Sequence, residues 1–338
     1  MKEMLFRKLI PILLLVFIIA VATTGCVRNH PPVVESTTNI EETTTPTKPS
    51  MPTETETEPE HERFLIDNNS KYIGVYAEDP KELDVFEDSL QILAWFDTFD
   101  RVSTTKMSMC LDEHKYIAFI TLEPDDMPLK EIAKGKHDEK IINYLKILSE
   151  GERIYTELFV RFAHEMEMRP GYEAWYSWQT HDADAYVNAW RHLVSLGKEY
   201  APNVKWVWSP NRADRHTEAY YPGDEYVDYV GLTLNNTRKS YKTFGKFYEK
   251  LGKKENLEAY NKPIILGEIA EHCMDDKQKN DYIASVFDYL KTSTNIVGVV
   301  FLNKDIERQR QYQFSDNKTQ IKTFIEKAKE LRNYEEIY

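Results

Sequence analysis

The chain has 338 residues and carries 43 Lys+Arg against 56 Asp+Glu, a formal charge of −13. That balance excludes a binder that works by neutralising nucleic-acid phosphates, and the 41% hydrophobic share excludes a chain disordered throughout. The length allows one large domain or two ordinary ones, and 21 Tyr, 15 Phe and 6 Trp suit a core or a surface that holds flat apolar faces of ligands.

The first element is an export signal. Lys2, Arg7 and Lys8 precede an almost wholly apolar stretch from Leu9 to Val21, which closes with Ala22-Thr23-Thr24-Gly25-Cys26. Small residues before a cysteine resemble a bacterial lipobox, with Thr23 in place of the usual leucine. The resemblance implies a signal peptide over residues 1–25 and lipidation of Cys26; the alternative is an uncleaved signal anchor. Either way the remainder is expected outside the cytoplasm, held at the cell membrane. The other two cysteines, Cys110 and Cys273, are too few for a disulfide framework and read as buried and reduced.

Of the 34 positions in residues 27–60, 9 are Thr, 6 are Pro and 7 are Glu, so the segment that follows Cys26 is a linker. Proline stiffness and charge repulsion extend such a chain at about 3.1 Å per residue, enough to lift a domain away from a membrane. Residues 61–338 form the folded domain.

There, short apolar runs alternate with helical stripes. The runs are Tyr72–Tyr76, Ile92–Phe96, Tyr116–Leu122, Leu158–Ala163, Val204–Trp208, Val227–Leu232, Pro263–Leu266 and Ile296–Leu302. They are apolar on consecutive residues, as strands buried on both faces are. Helical stripes fall at Leu83/Phe86/Leu90, Ile141/Leu145/Leu148, Val187/Trp190/Val194, Ile283/Val286/Phe287/Leu290 and Ile321/Phe324/Ile325/Ala328. Eight β/α units in this length predict an α/β protein built as a single (β/α)8 TIM barrel, with a doubly wound open sheet as the alternative. There is no Gly-rich phosphate loop and no Cys/His spacing for zinc.

In such a barrel the reactive groups sit at the C-terminal ends of strands. The fourth run ends in Arg161-Phe162-Ala163-His164-Glu165-Met166 and the seventh in Leu266-Gly267-Glu268. Two opposed carboxylates are the equipment of glycoside hydrolysis, one protonated to serve the leaving oxygen and one ionised to attack the anomeric carbon. His164-Glu165 does not continue into a zinc metalloprotease motif, since Met168 stands where the second histidine is needed. Glu271 is a rival to Glu268, placed past the expected strand end, and His272 reads as a loop residue within possible reach of the cleft.

The segment Arg161–Met166 resembles the acid/base strand of glycoside hydrolase family 26, whose members include β-mannanases. Similar stretches follow in order: Trp175-Tyr176-Ser177-Trp178, Tyr186…Ala189-Trp190-Arg191-His192, Trp206–Asn211, Tyr220–Leu232 and Lys262–Glu268. The resemblance covers about residues 155–305. It implies a retaining double displacement with Glu165 as acid/base and Glu268 as nucleophile, their carboxyls about 5–5.5 Å apart. It also implies that His164 hydrogen-bonds the sugar at the cleavage point and that Trp175 is a platform under a pyranose ring. Trp178 and Trp208 are further aromatic candidates, each with a structural alternative. Asn211 would donate to a hydroxyl or cap a helix, and Asn303 would line the floor or close a turn.

The sixth strand departs from the family. Thr233-Leu234-Asn235-Asn236 replaces the usual Asp-Gly-Tyr-Asn, so the tyrosine that hydrogen-bonds the nucleophile is missing and Asn235 is its expected substitute. Glu167–Ala174 reads as an insertion that reshapes one cleft wall, so plant-mannan specificity is not assumed. The expectation is a lipid-anchored endo-β-glycosidase acting on mannan or β-glucan, monomeric by default, without metal or organic cofactor. The alternative is a polysaccharide-binding or exopolysaccharide-assembly lipoprotein with weakened turnover.

Overall fold

Nine parallel strand segments among the described residues build one sheet that closes on itself. They are β1 (Tyr72–Tyr76), β2 (Ile92–Thr98), β3 (Ile117–Glu123), β4 (Leu158–Phe162), β5 (Val204–Trp208), β6 (Tyr229–Val230), β7 (Thr233–Asn236), β8 (Ile264–Glu271) and β9 (Ile296–Phe301). The order is β6-β5-β4-β3-β2-β1-β9-β8-β7, and β6 also pairs with β8, which closes the ring. β6 and β7 are two halves of one barrel position, interrupted at Gly231-Leu232, so the architecture is the expected eight-position TIM barrel. The computed structural model describes residues 65–335 except 168–173, 237–242, 251–253, 273–274 and 306–311. The predicted signal peptide, Cys26 and the linker lie outside the described residues, as do Met168, Cys273 and the middle of the predicted insertion.

The helical stripes become α1 (Asp138–Ser149), α2 (Ala183–Tyr200), α5 (Asp276–Leu290) and α6 (Lys318–Glu335), with α3 (Phe244–Lys250) and α4 (Lys254–Glu258) between β7 and β8. α2 and α5 begin at the aspartate caps Asp182 and Asp275, which accept from the amides of Ala185 and Gln278. The first stripe, Leu83/Phe86/Leu90, is a correction: Pro80–Ser89 is a 3-10 run broken at Glu87, whose φ is 50°. Its apolar residues still face the core, with Leu83 and Phe86 buried.

Strand alternation divides the core in two. Ile73, Val75, Leu93, Trp95, Val160 and Phe162 pack outward against the helices, while Ile92, Ala94, Phe119, Phe159 and Ile265 fill the barrel. The β8–β9 register shifts twice, between Ile264 and Ile265 and again between Leu266 and Ile269. Ile265 pairs with Gly298 and Leu266 with Val299, yet Ile269 pairs with Phe301, so three steps along β8 meet two along β9. The extra residue is a β-bulge at Gly267-Glu268. It corrects the expected strand end at Leu266, because the bulge lets the strand run on to Glu271.

Candidate active site

Polar residues replace apolar ones on the inner face where the strands approach their C-terminal ends. Tyr76 closes β1, Thr121 lies late in β3, Arg161 late in β4, Asn235 in β7 and Glu268 in the β8 bulge. Arg161 is fully buried and spans the chamber. Its Nε donates to Thr121 Oγ1 at 3.1 Å, and its Nη2 donates to the Tyr76 hydroxyl at 2.8 Å and to Glu268 Oε2 at 3.4 Å. Gly267 makes room for it: a Cβ there would lie 3.0 Å from Phe119 Cζ and 3.1 Å from Arg161 Cδ and Nη1. The other oxygen of Glu268 accepts from Asn235 Nδ2 at 2.7 Å. Asn235 thus stands on Glu268 where the family's tyrosine was expected to be replaced.

Glu165 arrives from the opposite side. After β4 the chain turns through left-handed conformations at Ala163 (φ 42°) and Glu165 (φ 55°), costing about 1–2 kcal/mol at each non-glycine residue. The Glu165 amide donates to the Ser209 carbonyl at 2.9 Å, and the side-chain amide of Gln179 donates to the Glu165 carbonyl at 2.8 Å, which fixes this turn. Asn211 Nδ2 donates to Glu165 Oε1 at 3.0 Å. Burial and the neighbouring Glu268 charge push the Glu165 carboxyl above its ordinary value, with Asn211, Thr233 and Arg161 pulling the other way. The arrangement thus favours the protonated form of Glu165 beside a carboxylate that faces a permanent cation.

Residues 131–296 match the profile of the family described as glycosyl hydrolase family 26. Over those residues the domain is similar to that family. Among curated relatives, endoglucanase H of Acetivibrio thermocellus is 28% identical over 212 residues, 56% of this chain and 22% of its own. The mannan endo-1,4-beta-mannosidase A and B of Caldalkalibacillus mannanilyticus is 40% identical over 52 residues, 15% of this chain and 10% of its own. The chain therefore spans at most about a fifth of the length of these relatives. A family 26 β-mannanase structure from Bacteroides ovatus superposes with a TM-score of 0.58 at 13% identity, covering 78% of this chain and 90% of that one, and shows that the fold is shared.

The other predicted site residues divide sharply within this barrel. His164 lies under the cleft, 1% exposed, with its ring 5.0 Å from that of Tyr176 and 6.0 Å from that of Phe96. Burial and the Arg161 charge hold its imidazole well below the usual histidine range, and neither ring nitrogen has a hydrogen-bond partner. Trp175 is 54% exposed, the most open of the predicted aromatics. Trp178 is buried: its indole N–H donates to the His164 carbonyl at 2.8 Å and its ring stacks on Tyr176 at 4.4 Å, so it braces the cleft wall from behind.

Two expectations are corrected. Trp208 is wholly buried on the outer face of β5, edge-on to Tyr221 and Tyr260, with its N–H on the Tyr220 carbonyl. Strand alternation sends Val207 into the barrel and Trp208 into the helical layer, so it is structural. Asn303 closes a turn, accepting from the amides of Phe314 and Ser315 and donating to the Ser315 hydroxyl. Asn211 caps no helix; its Nδ2 donates to Glu165 Oε1, which leaves its second N–H for a sugar hydroxyl. Glu271 lies on the outer face with Asn236 Nδ2 at 2.5 Å and is no rival to Glu268. His272 is half-buried, its amide on the Asn236 carbonyl and its ring edge-on to Tyr312.

Sequence reasoning left Tyr76, Thr121, Tyr176 and Glu167 without roles, and quoted Arg161 only as part of a motif. The signal for Arg161 was available: an arginine flanked by Val160 and Phe162 inside a buried strand needs a buried partner. Cys110 is buried and reduced, as expected, and burial pushes its thiol up. Among the described residues no cluster of three or more His, Cys, Asp or Glu is arranged to hold a metal ion, and no helix is long and apolar enough to cross a membrane.

Proposed function

We propose that the domain is a retaining endo-β-glycosidase that hydrolyses a β-linked polysaccharide of mannan or β-glucan type. The observation that carries this is the unequal environment of two carboxylates in one chamber, Glu165 pushed towards its protonated form and Glu268 set against Arg161 and Asn235. Glu165 would give its proton to the departing glycosidic oxygen while Glu268 attacks the anomeric carbon. Water, relieved of a proton by Glu165, would then release the covalent sugar from Glu268. Two inversions at one carbon leave the β configuration unchanged.

The names of the relatives support this substrate class, as does exposed Trp175, whose π-face suits the apolar side of a pyranose. The test is product analysis on mannan, lichenan and xylan with NMR of the first anomer released. An oligosaccharide of β configuration is expected, whereas an α anomer would exclude the double displacement. Affinity electrophoresis showing binding without product would favour the assembly lipoprotein instead.

We also infer, from Cys26 and the apolar stretch before it, a lipid-anchored protein at the extracytoplasmic face of the cell membrane. Labelled palmitate should enter the wild-type chain and not Cys26→Ser, which should appear in the medium.

A further inference from the structure

Glu167 lies two residues beyond Glu165 and is 7% exposed, yet the double displacement leaves it without a task. Its Oε1 accepts from the Arg212 amide at 2.7 Å and its Oε2 from the Asn211 amide at 3.2 Å. Successive amides just past β5 thus end on one carboxylate, and proline at 210 leaves them as the first donors after Ser209. Asn211 is the residue whose side chain donates to Glu165 Oε1. One acidic side chain therefore grips the backbone of the residue that grips another.

We propose that Glu167 is a positioning residue for Glu165: it aims Asn211 by holding its backbone, and the two carboxylates oppose each other's ionisation. The proposal rests on the role assigned to Glu165 above. The surroundings limit the competing titrations. Besides Glu165, the groups that face Glu167 are Tyr186 of α2, Tyr220 in the 3-10 turn Glu218–Tyr220, and Tyr260 after α4. All three phenols are pushed up, mainly by burial, and stay neutral in the working range. Burial also pushes Glu167 itself up to about 7, against the pull of the backbone amides. Its charge is present above that pH, where a general acid is hardest to keep protonated.

The test compares the full wild-type chain with Glu167→Gln, which keeps size and loses charge. Carboxyl-carbon NMR should show Glu165 titrating about one pH unit lower in the variant, and the basic limb of kcat/KM should move down by the same amount. Hydrolysis of the polymer should fall about tenfold, while an aryl glycoside with an activated leaving group, which needs little proton donation, should lose less than about threefold. An unmoved Glu165 titration, or equal losses on both substrates with an unmoved limb, would overturn the proposal. Glu167→Asp guards against simple unfolding: it keeps the charge but cannot span both amides, so the limb should stay in place while the polymer rate drops. If the wild-type chain cleaved no glycan, the NMR titration would still decide the Glu167–Glu165 coupling, and only the hydrolase reading would fail.

Discussion

The two faces of β8 carry the same pair of residue types for opposite ends. On the inner face Glu268 is held by Asn235, and on the outer face, three positions on, Glu271 is held by Asn236; both asparagines come from β7, whose register sets Asn235 against Ala270 and Asn236 against Glu271. Glu268 meets Arg161 Nη2 at 3.4 Å inside the barrel. Glu271 looks into a cavity of about 10 Å³ walled by Lys279, Tyr282, Tyr312 and Phe314 under α5. Burial pushes Glu271 up to about 7, with the Asn236 hydrogen bond and Lys279 pulling the other way. An Asn–Glu pair is therefore not a site in itself; the side of the sheet it faces decides whether it meets substrate or packing.

Glutamate replacement gives the widest separation of the two faces. Glu268→Ala should lower kcat by about 10⁴-fold or more, whereas Glu271→Gln should leave kcat within about threefold; comparable losses would mean that the rival carboxylate had been dismissed wrongly. Next comes Arg161→Met, which strands Tyr76, Thr121 and Glu268. A drop in kcat of about 100-fold is expected with little change in KM, because the guanidinium acts on the nucleophile rather than on bound sugar. The asparagines sharpen the contrast further: Asn235→Ala should lower kcat about tenfold or more, and Asn236→Ala should lower the melting temperature instead.

The smallest effect is a pH dependence of stability. Because the folded state holds the Glu271 pKa above its ordinary 4.5, that state binds more protons than the unfolded one between about pH 4.5 and 7. Its protonation stabilises the fold below that window, and the contribution is lost as the pH rises through it. Glu271→Gln should therefore gain on the wild type with rising pH, by about 3 kcal/mol at pH 8 relative to pH 4, in paired urea titrations. A gap that stayed constant with pH would place Glu271 in a more polar setting than the outer face of β8 provides.

Legibility followed range. Asn235 was traced from a motif departure alone, because parallel pairing of neighbouring strands is short-range and regular. Trp208 was misassigned because the end of a strand was visible in the sequence while the side it turned was not; its neighbour Val207 is the residue that enters the barrel. Glu167 went unassigned because its partners, Asn211 and Arg212, lie more than forty positions away and contribute only backbone amides, which every residue type offers.

Local pattern alone determined the eight strand positions, their order, and the pair of glutamates at the ends of the fourth and seventh. Apolar runs and turn chemistry act over a few residues and leave their mark in composition. Tertiary structure decided which glutamate of β8 faces the chamber, since the bulge exists only as a mismatch between β8 and β9. It decided too that Arg161 crosses to Glu268 over the bare backbone of Gly267. Closing the sheet into a ring brings those side chains within reach, and no periodicity along the chain encodes a distance across it.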